Sequence, residues 1–259
     1  MALKGLRSVL IDLSGTLHID NEITPGAVDA LKRLRETNVI IKFVTNTTKE
    51  SKRFLYERLC NLGFDLKHDE ILTSLLAARQ VLQAESLRPM LLVDSAALED
   101  FEGLTNFDGE PDSVVVGLAP EHFNYDKLNK AFRLLLEGAK LIAIHEGRYY
   151  KRPDGLSLGP GPFVKALEYA SGGQATVVGK PSAEFFHIGL SGVHPDSAVM
   201  IGDDVNDDIN GAQRIGMHGY LVQTGKYRPG DEDKISPKPF RTVPNFAAAV
   251  EDIIKEMNS

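Results

Sequence analysis

The chain has 259 residues, 42% of them hydrophobic, so a sizeable core fits one large domain or two smaller ones. A net charge of −7 argues against nucleic acid or an anionic membrane as a main partner. No apolar stretch approaches the ~20 residues that span a bilayer. Cys60 is the single cysteine, which excludes an internal disulfide and fits a reducing compartment. The opening MALKGLRSVLIDLSG has too short an apolar run for a signal peptide, so a cytoplasmic location is expected.

Taken in chain order, Val9 to Leu13 is the first strand candidate, followed by PGAVDALKRLRE, where Val28, Leu31 and Leu34 line one helical face. VIIKFVT (Val39 to Thr45) is a second strand. KESKRFLYERLCNLG is a second helix, with Thr47 and Glu50 at capping-box spacing before it and Gly63 as its stop. From about Leu75 to Ala175 the strands MLLVD, SVVVGLA and KLIAI accompany a helix at YDKLNKAFRLLLEG. GRYYKRPDGLSLGPGP then reads as a hairpin and an exposed loop. Late in the chain the rhythm returns, with ATVVG before KPSAEFFHIGL, AVMIG before DDVNDDINGAQRIG, and GYLVQTG before the helix FAAAVEDIIKEM. Buried strands alternating with helices predict an α/β fold with a doubly wound, parallel, Rossmann-like sheet. The predicted division is a core of residues 1–78 and 176–259 with a second α/β unit, 79–175, inserted into it.

In such a sheet ligands bind beyond the carboxyl ends of the strands. Four predicted strands end in chemically apt residues: Asp12, Thr45-Asn46, Gly179-Lys180 and Gly202-Asp203. Any one of them reads equally well as a turn cap or a solvated charge; four together are harder to explain so. A carboxylate at Asp12 can attack phosphorus and form an aspartyl-phosphate. Its repulsion from phosphate calls for a divalent cation, and Asp203 with Asp12 supplies the hard oxygen ligands that suit Mg²⁺. Lys180 offers a point charge for phosphoryl oxygens. Thr45 and Asn46 offer a hydroxyl, an amide and backbone N–H groups to an anion. Asp204, Asp207 and Asp208 crowd the same loop, where acids also favour a helix N-terminus without any metal.

Four motifs in this order, DLSGT, VTN, VVGKP and GDDVNDD, resemble those of the haloacid dehalogenase superfamily. The long insert between the second and third looks like the C2-type cap of its NagD / p-nitrophenyl-phosphatase-like branch. The resemblance covers essentially the whole chain. It implies that Asp12 is the nucleophile and a Mg²⁺ ligand and that position 14 gives the metal its backbone carbonyl. It further implies phosphate binding by Asp12, Leu13, Ser14, Thr45, Asn46 and Lys180, with Lys180 stabilising the phosphoaspartate. Asp203 becomes the second acidic ligand and Asp208, rather than Asp207, the outer-shell acid. The implied partner is a small phosphorylated substrate, and since caps of this kind contribute to dimer contacts in related proteins, the resemblance also allows a homodimer.

One position departs from the pattern. Most phosphatases of this superfamily carry a second Asp two residues after the nucleophile, as general acid and then base; here that residue is Ser14. A hydroxyl is a poor acid and a poor base at neutral pH, and general acid–base catalysis is worth ~10²–10⁴-fold, or about 3–5.5 kcal/mol. The site is therefore expected to be slower, not dead, and to favour phosphates whose leaving groups need little protonation. Two other readings stand beside this one. An attenuated relative that binds phosphorylated ligands or protein partners rests on Ser14 alone. A dehalogenase also lacks the second Asp, but it needs no metal and leaves the acids from Asp203 to Asp208 unexplained.

Lesser signals are read conservatively. Gly159, Gly161 and their prolines form a rigid loop sooner than a phosphate cradle. Tyr149, Tyr150, Lys151 and Arg152 are a patch that contacts substrate or packs as a hairpin. His122 and His145 lack partners at metal-ligand spacing, and YRPGDEDKISPKP reads as a solvated loop.

Overall fold

The computed structural model describes residues 3–152 and 155–259, and of residues 150–156 no side chain is described. In chain order it forms β1 (Ser8–Ile11), a small hairpin β2 (His18–Ile19) and β3 (Glu22–Ile23), α1 (Ala27–Arg35), β4 (Ile40–Thr45), α2 (Lys52–Asn61) and β5 (Ile71–Thr73). There follow α3 (Ser74–Ala84), β6 (Pro89–Leu92), β7 (Ser113–Val116), α4 (Tyr125–Leu136) and β8 (Lys140–Ala143). The hairpin β9 (Tyr149–Arg152) and β10 (Gly155–Leu158) leads to α5 (Gly161–Ser171), β11 (Thr176–Val177) and α6 (Ala183–Leu190). The chain closes with β12 (Ala198–Gly202), a π-turn (Val205–Asn210), α7 (Gly211–Arg214), β13 (His218–Val222), β14 (Arg241–Val243) and α8 (Phe246–Met257). Among the described residues no helix is long and apolar enough to cross a membrane.

The chain separates into two compact units, Met1–Thr45 with Leu55–Leu72 and Lys180–Ser259, and Asn46–Phe54 with Thr73–Gly179. The first holds the six-stranded sheet β14-β13-β12-β1-β4-β5. β1 lies at its heart, parallel to β12 on one side and to β4 on the other. Its four residues SVLI are all buried, as a strand covered on both faces requires. Val9 and Ile11 pack into one core with Leu31 and Leu34 of α1 and Phe246, Val250 and Ile253 of α8. Leu10 points to the other face, where α6 comes so close that a Cβ on Gly189 would stand 3.0 Å from the Leu10 side chain. The doubly wound parallel core expected from the sequence is present.

The second unit carries its own parallel sheet, β11-β8-β7-β6, over a core of Val114, Val116, Ala131, Leu134, Val164 and Leu167. Three local expectations are corrected here. ATVVG does not rejoin the first sheet: Thr176 and Val177 pair with Ile142 and Ala143 of β8, so two residues of short strand extend the second sheet instead. α2 does not start at the Thr47/Glu50 box. Thr48 is buried and accepts a bond from the Leu118 N–H, while the Phe54 N–H reaches back to the Ser51 hydroxyl, and the helix begins at Lys52. YRPGDEDKISPKP is not simply solvated, because Ile235 packs with Val205, Ile209 and Leu221. Gly159 and Gly161 donate their N–H groups to the carbonyls of Arg148 and Gly147, a loop held by backbone and not a cradle for an anion. Of the aromatic-basic patch, the side chains of Tyr150, Lys151 and Arg152 lie outside the described residues, and Tyr149 is exposed.

Candidate active site

The site grows out of the central strand. One residue past β1, Asp12 keeps the sheet register through its N–H to the Ile201 carbonyl (2.9 Å) and is 5% exposed. The chain then turns sharply at Gly15, whose φ of +95° suits glycine. Within that turn the Thr16 hydroxyl donates to Asp12 Oδ2 (3.2 Å). Leu13 is buried in the hydrophobic core, so only its backbone faces the turn's chemistry, whereas Ser14 is exposed.

Lys180 lies 3% exposed and uses its ammonium group fully: 2.5 Å to Asp12 Oδ1, 2.7 Å to Asp208 Oδ1 and 3.1 Å to the Val44 carbonyl. It does not end a strand of this sheet, as expected from the sequence; it follows β11 of the other one by three residues. Burial by itself would strip its proton, but Asp12 and Asp208 outweigh that and hold its pKa above the usual lysine value.

After β12, Asp203 is 2% exposed and Asp208 1% exposed, and with Asp12 they bring three carboxylates to ligand atoms within 4.8 Å of one another. The residues alone left Asp204, Asp207 and Asp208 together, and the resemblance chose Asp208; the π-turn separates them. Asp204 caps it, accepting from the N–H groups of Asn206 and Asp207 at 3.0 Å each. Burial would raise Asp204, but Lys226 at 3.2 Å and these backbone bonds pull it below the carboxylate norm. Asp207 is not one of the three and is pushed up to about 6, first by burial and then by Asp204. Asp208 folds back to receive the Asp204 N–H (3.1 Å), and burial lifts it to about 7 against the pull of Lys180. Asp203 is raised well above a free carboxyl by burial, then by Asp12 and Asp208. Three buried acids against one lysine are short of positive charge, and a small divalent cation with oxygen preference fits the deficit.

Thr45 is buried as the last residue of β4, and Asn46, half-buried, opens the second unit. Sequence reasoning missed Thr16, Thr224 and Lys226. Lys226 donates its backbone N–H to Asp203 Oδ2 at 2.6 Å, and the Thr224 hydroxyl donates to the Gly15 carbonyl at 2.5 Å. The available signal was the Thr-Gly-Lys that follows β13, the next strand over from β12. His122 pairs with Lys127 and His145 accepts from the Gly147 N–H, both within the second unit.

A doubly wound sheet with these strand-end groups defines a class, and comparison with known proteins agrees. Residues 9–104 match the family model described as haloacid dehalogenase-like hydrolase, and residues 177–249 match a HAD-hydrolase-like model. The chain belongs to the haloacid dehalogenase-like hydrolases, in the NagD / p-nitrophenyl-phosphatase-like branch. It is 60% identical over 258 residues to human haloacid dehalogenase-like hydrolase domain-containing protein 2, covering 99% of both chains. It is 41% identical over 261 residues to human phospholysine phosphohistidine inorganic pyrophosphate phosphatase, covering 98% of this chain and 96% of that one. Among solved structures, 4-nitrophenylphosphatase from Thermotoga maritima matches with a TM-score of 0.88 at 25% identity, covering 97% of this chain and 98% of the other.

Proposed function

We propose that the chain is a Mg²⁺-dependent phosphohydrolase that works through an aspartyl-phosphate on Asp12. The observation that carries the reading is the buried contact of Asp12 with Lys180, beside Asp203 and Asp208 within ligand distance. Asp12 and Asp203, with the backbone carbonyl of position 14, would hold the ion, and Asp208 would steady the set through Lys180. The bound cation neutralises phosphoryl oxygens, which otherwise repel the attacking carboxylate. Asp12 attacks phosphorus, and the bond to the leaving group breaks. Lys180 stays protonated and balances the charge of the phosphoaspartate, with Thr45 and Asn46 donating to its oxygens. Water then attacks phosphorus, loses its proton to solvent, and frees phosphate and the Asp12 carboxylate.

Ser14 cannot protonate the departing oxygen. The chemistry therefore selects acyl and aryl phosphates, pyrophosphate and phosphoramidates of the phosphohistidine kind over alkyl esters. The name of the phospholysine phosphohistidine relative points to the same leaving groups. The second unit acts as the cap that chooses among them. The lone, half-buried Cys60 fits a reducing, cytoplasmic setting.

The test is hydrolysis of p-nitrophenyl phosphate with and without Mg²⁺, with glycerol phosphate as the alkyl comparison. Turnover that vanishes with chelator is expected, with the alkyl ester far behind. Equal turnover of the two esters would sink the leaving-group rule. Tight phosphate binding with no turnover of any activated phosphate would move the reading to an attenuated binding protein, the alternative that Ser14 favours.

A further inference from the structure

The acids of the cluster differ in how they are held. Asp208 is fixed by Lys180 and by the Asp204 N–H, and Asp12 by Lys180 and Thr16. Among the described residues no cation pairs with Asp203; what holds it is the turn after β13. The Lys226 N–H takes Asp203 Oδ2 at 2.6 Å. Gly225, at φ +54°, lies so close that a Cβ there would stand 2.1 Å from the same oxygen and 2.5 Å from the Gly15 Cα. A Cβ on Gly15 would also stand 2.1 Å from Asp203 Oδ2. The Thr224 hydroxyl bonds the Gly15 carbonyl at 2.5 Å and so ties the two glycine turns together. Asp203 Oδ2 thus lies against two adjacent glycines, where a side chain on either would collide with it, and accepts the Lys226 N–H.

We infer that Thr224, Gly225 and Lys226 form a clasp that turns Asp203, committing Oδ2 to the turn and presenting Oδ1 to the cation. The inference rests on the metal reading above. These are positioning residues: they touch a ligand and its neighbour, not substrate. Outer-shell partners of this kind typically account for 10–100-fold in metal affinity. The roles within the clasp also separate. The backbone N–H of Lys226 serves Asp203, while its ammonium group serves Asp204, outside the cluster.

The experiment is Mg²⁺ titration by calorimetry on the full chain, with melting curves in chelator to show that each variant folds. Gly225→Ala is expected to weaken Mg²⁺ at least ~10-fold, since the new methyl must displace Asp203. Thr224→Val is expected to weaken it several-fold and Thr224→Ser to restore it, a rescue that bulk packing does not predict. Lys226→Gln keeps the N–H and removes a charge that repels the ion, so Mg²⁺ binding should hold or tighten. Glycine and valine variants that bind Mg²⁺ within twofold of the parent overturn the clasp and leave the metal reading standing. A folded parent that binds no Mg²⁺ overturns the metal reading first and the clasp with it.

Discussion

The molecule contains two parallel α/β sheets, and only one gathers buried acids at its strand ends. β1 and β12 run into Asp12 and Asp203, acids that are buried and drawn into one cluster. In the second sheet β6 also runs toward an acid, Asp94, but that side chain is half-buried and spends itself on a local turn, accepting the Ala96 N–H at 2.9 Å. β7 and β8 are followed by Gly117 and Ile144, and the first acid past β8, Glu146, pairs with Lys165. Parallel strands supply a place for a site, and the site itself needs acids that have lost their water and found no turn to cap.

The largest test of that contrast exchanges one strand-end acid in each sheet. Asp12→Asn should lower kcat on p-nitrophenyl phosphate by at least ~10³-fold, because an amide is no nucleophile. Asp94→Ala should leave kcat within about twofold and cost about 1 kcal/mol as a lost cap, read by urea melting. Comparable losses of activity in both would break the comparison.

The next effect falls on stability. Lys180→Gln leaves Asp12 and Asp208 buried without their cation and should cost about 3–5 kcal/mol in chelator. Added Mg²⁺ should recover part of it, whereas the wild type should gain less, which paired melts will read. Ser14→Asp sharpens the chemistry of the first sheet. Turnover of glycerol phosphate should rise ~10²-fold or more, and that of p-nitrophenyl phosphate much less. A uniform rise for both esters would contradict the leaving-group rule.

The smallest effect lies at an ion pair of the ordinary kind. Arg35 holds Glu70 at 2.6 Å, with the two side chains 19% and 12% exposed. Burial would raise Glu70, yet the Arg35 bond and the Lys67 N–H hold its carboxyl below the usual 4.5. A lowered carboxyl stabilises the fold above that usual value and loses its contribution as pH falls through the folded value. Glu70→Gln should therefore cost about 1 kcal/mol at neutral pH, and the gap to wild type should close below pH 4.5.

Much of this was legible in the sequence because its signals are local. An apolar VLI followed by an acid, and GDD after AVMIG, name a strand and its end together. What escaped depends on distance or competition. The partner of ATVVG could not be read, since a two-residue strand fits either sheet and only its neighbours decide. The helix starts past the Thr47 box, at Lys52, where the Phe54 N–H reaches Ser51, while Thr48 next to the box accepts from Leu118, seventy residues on. Asp204 and Asp208 look alike in GDDVNDD, and the π-turn alone sends one to cap and the other inward. Thr224 and Lys226 stand in the turn after β13, whereas the acid that Lys226 bonds follows β12.

The glycines around the acids bear on how the gene can change. An added Cβ at Gly15, Gly202 or Gly225 would stand 2.1, 2.2 or 2.1 Å from a carboxylate oxygen of Asp203 or Asp208. Every amino-acid change reachable from a glycine codon in one nucleotide step brings a Cβ with it. Drift at these codons is therefore confined to synonymous changes for as long as the acids must keep their places. Position 14, exposed and unwalled, is under no such bar. On the proposed mechanism, it is where one leaving-group preference would be traded for another without rebuilding the site.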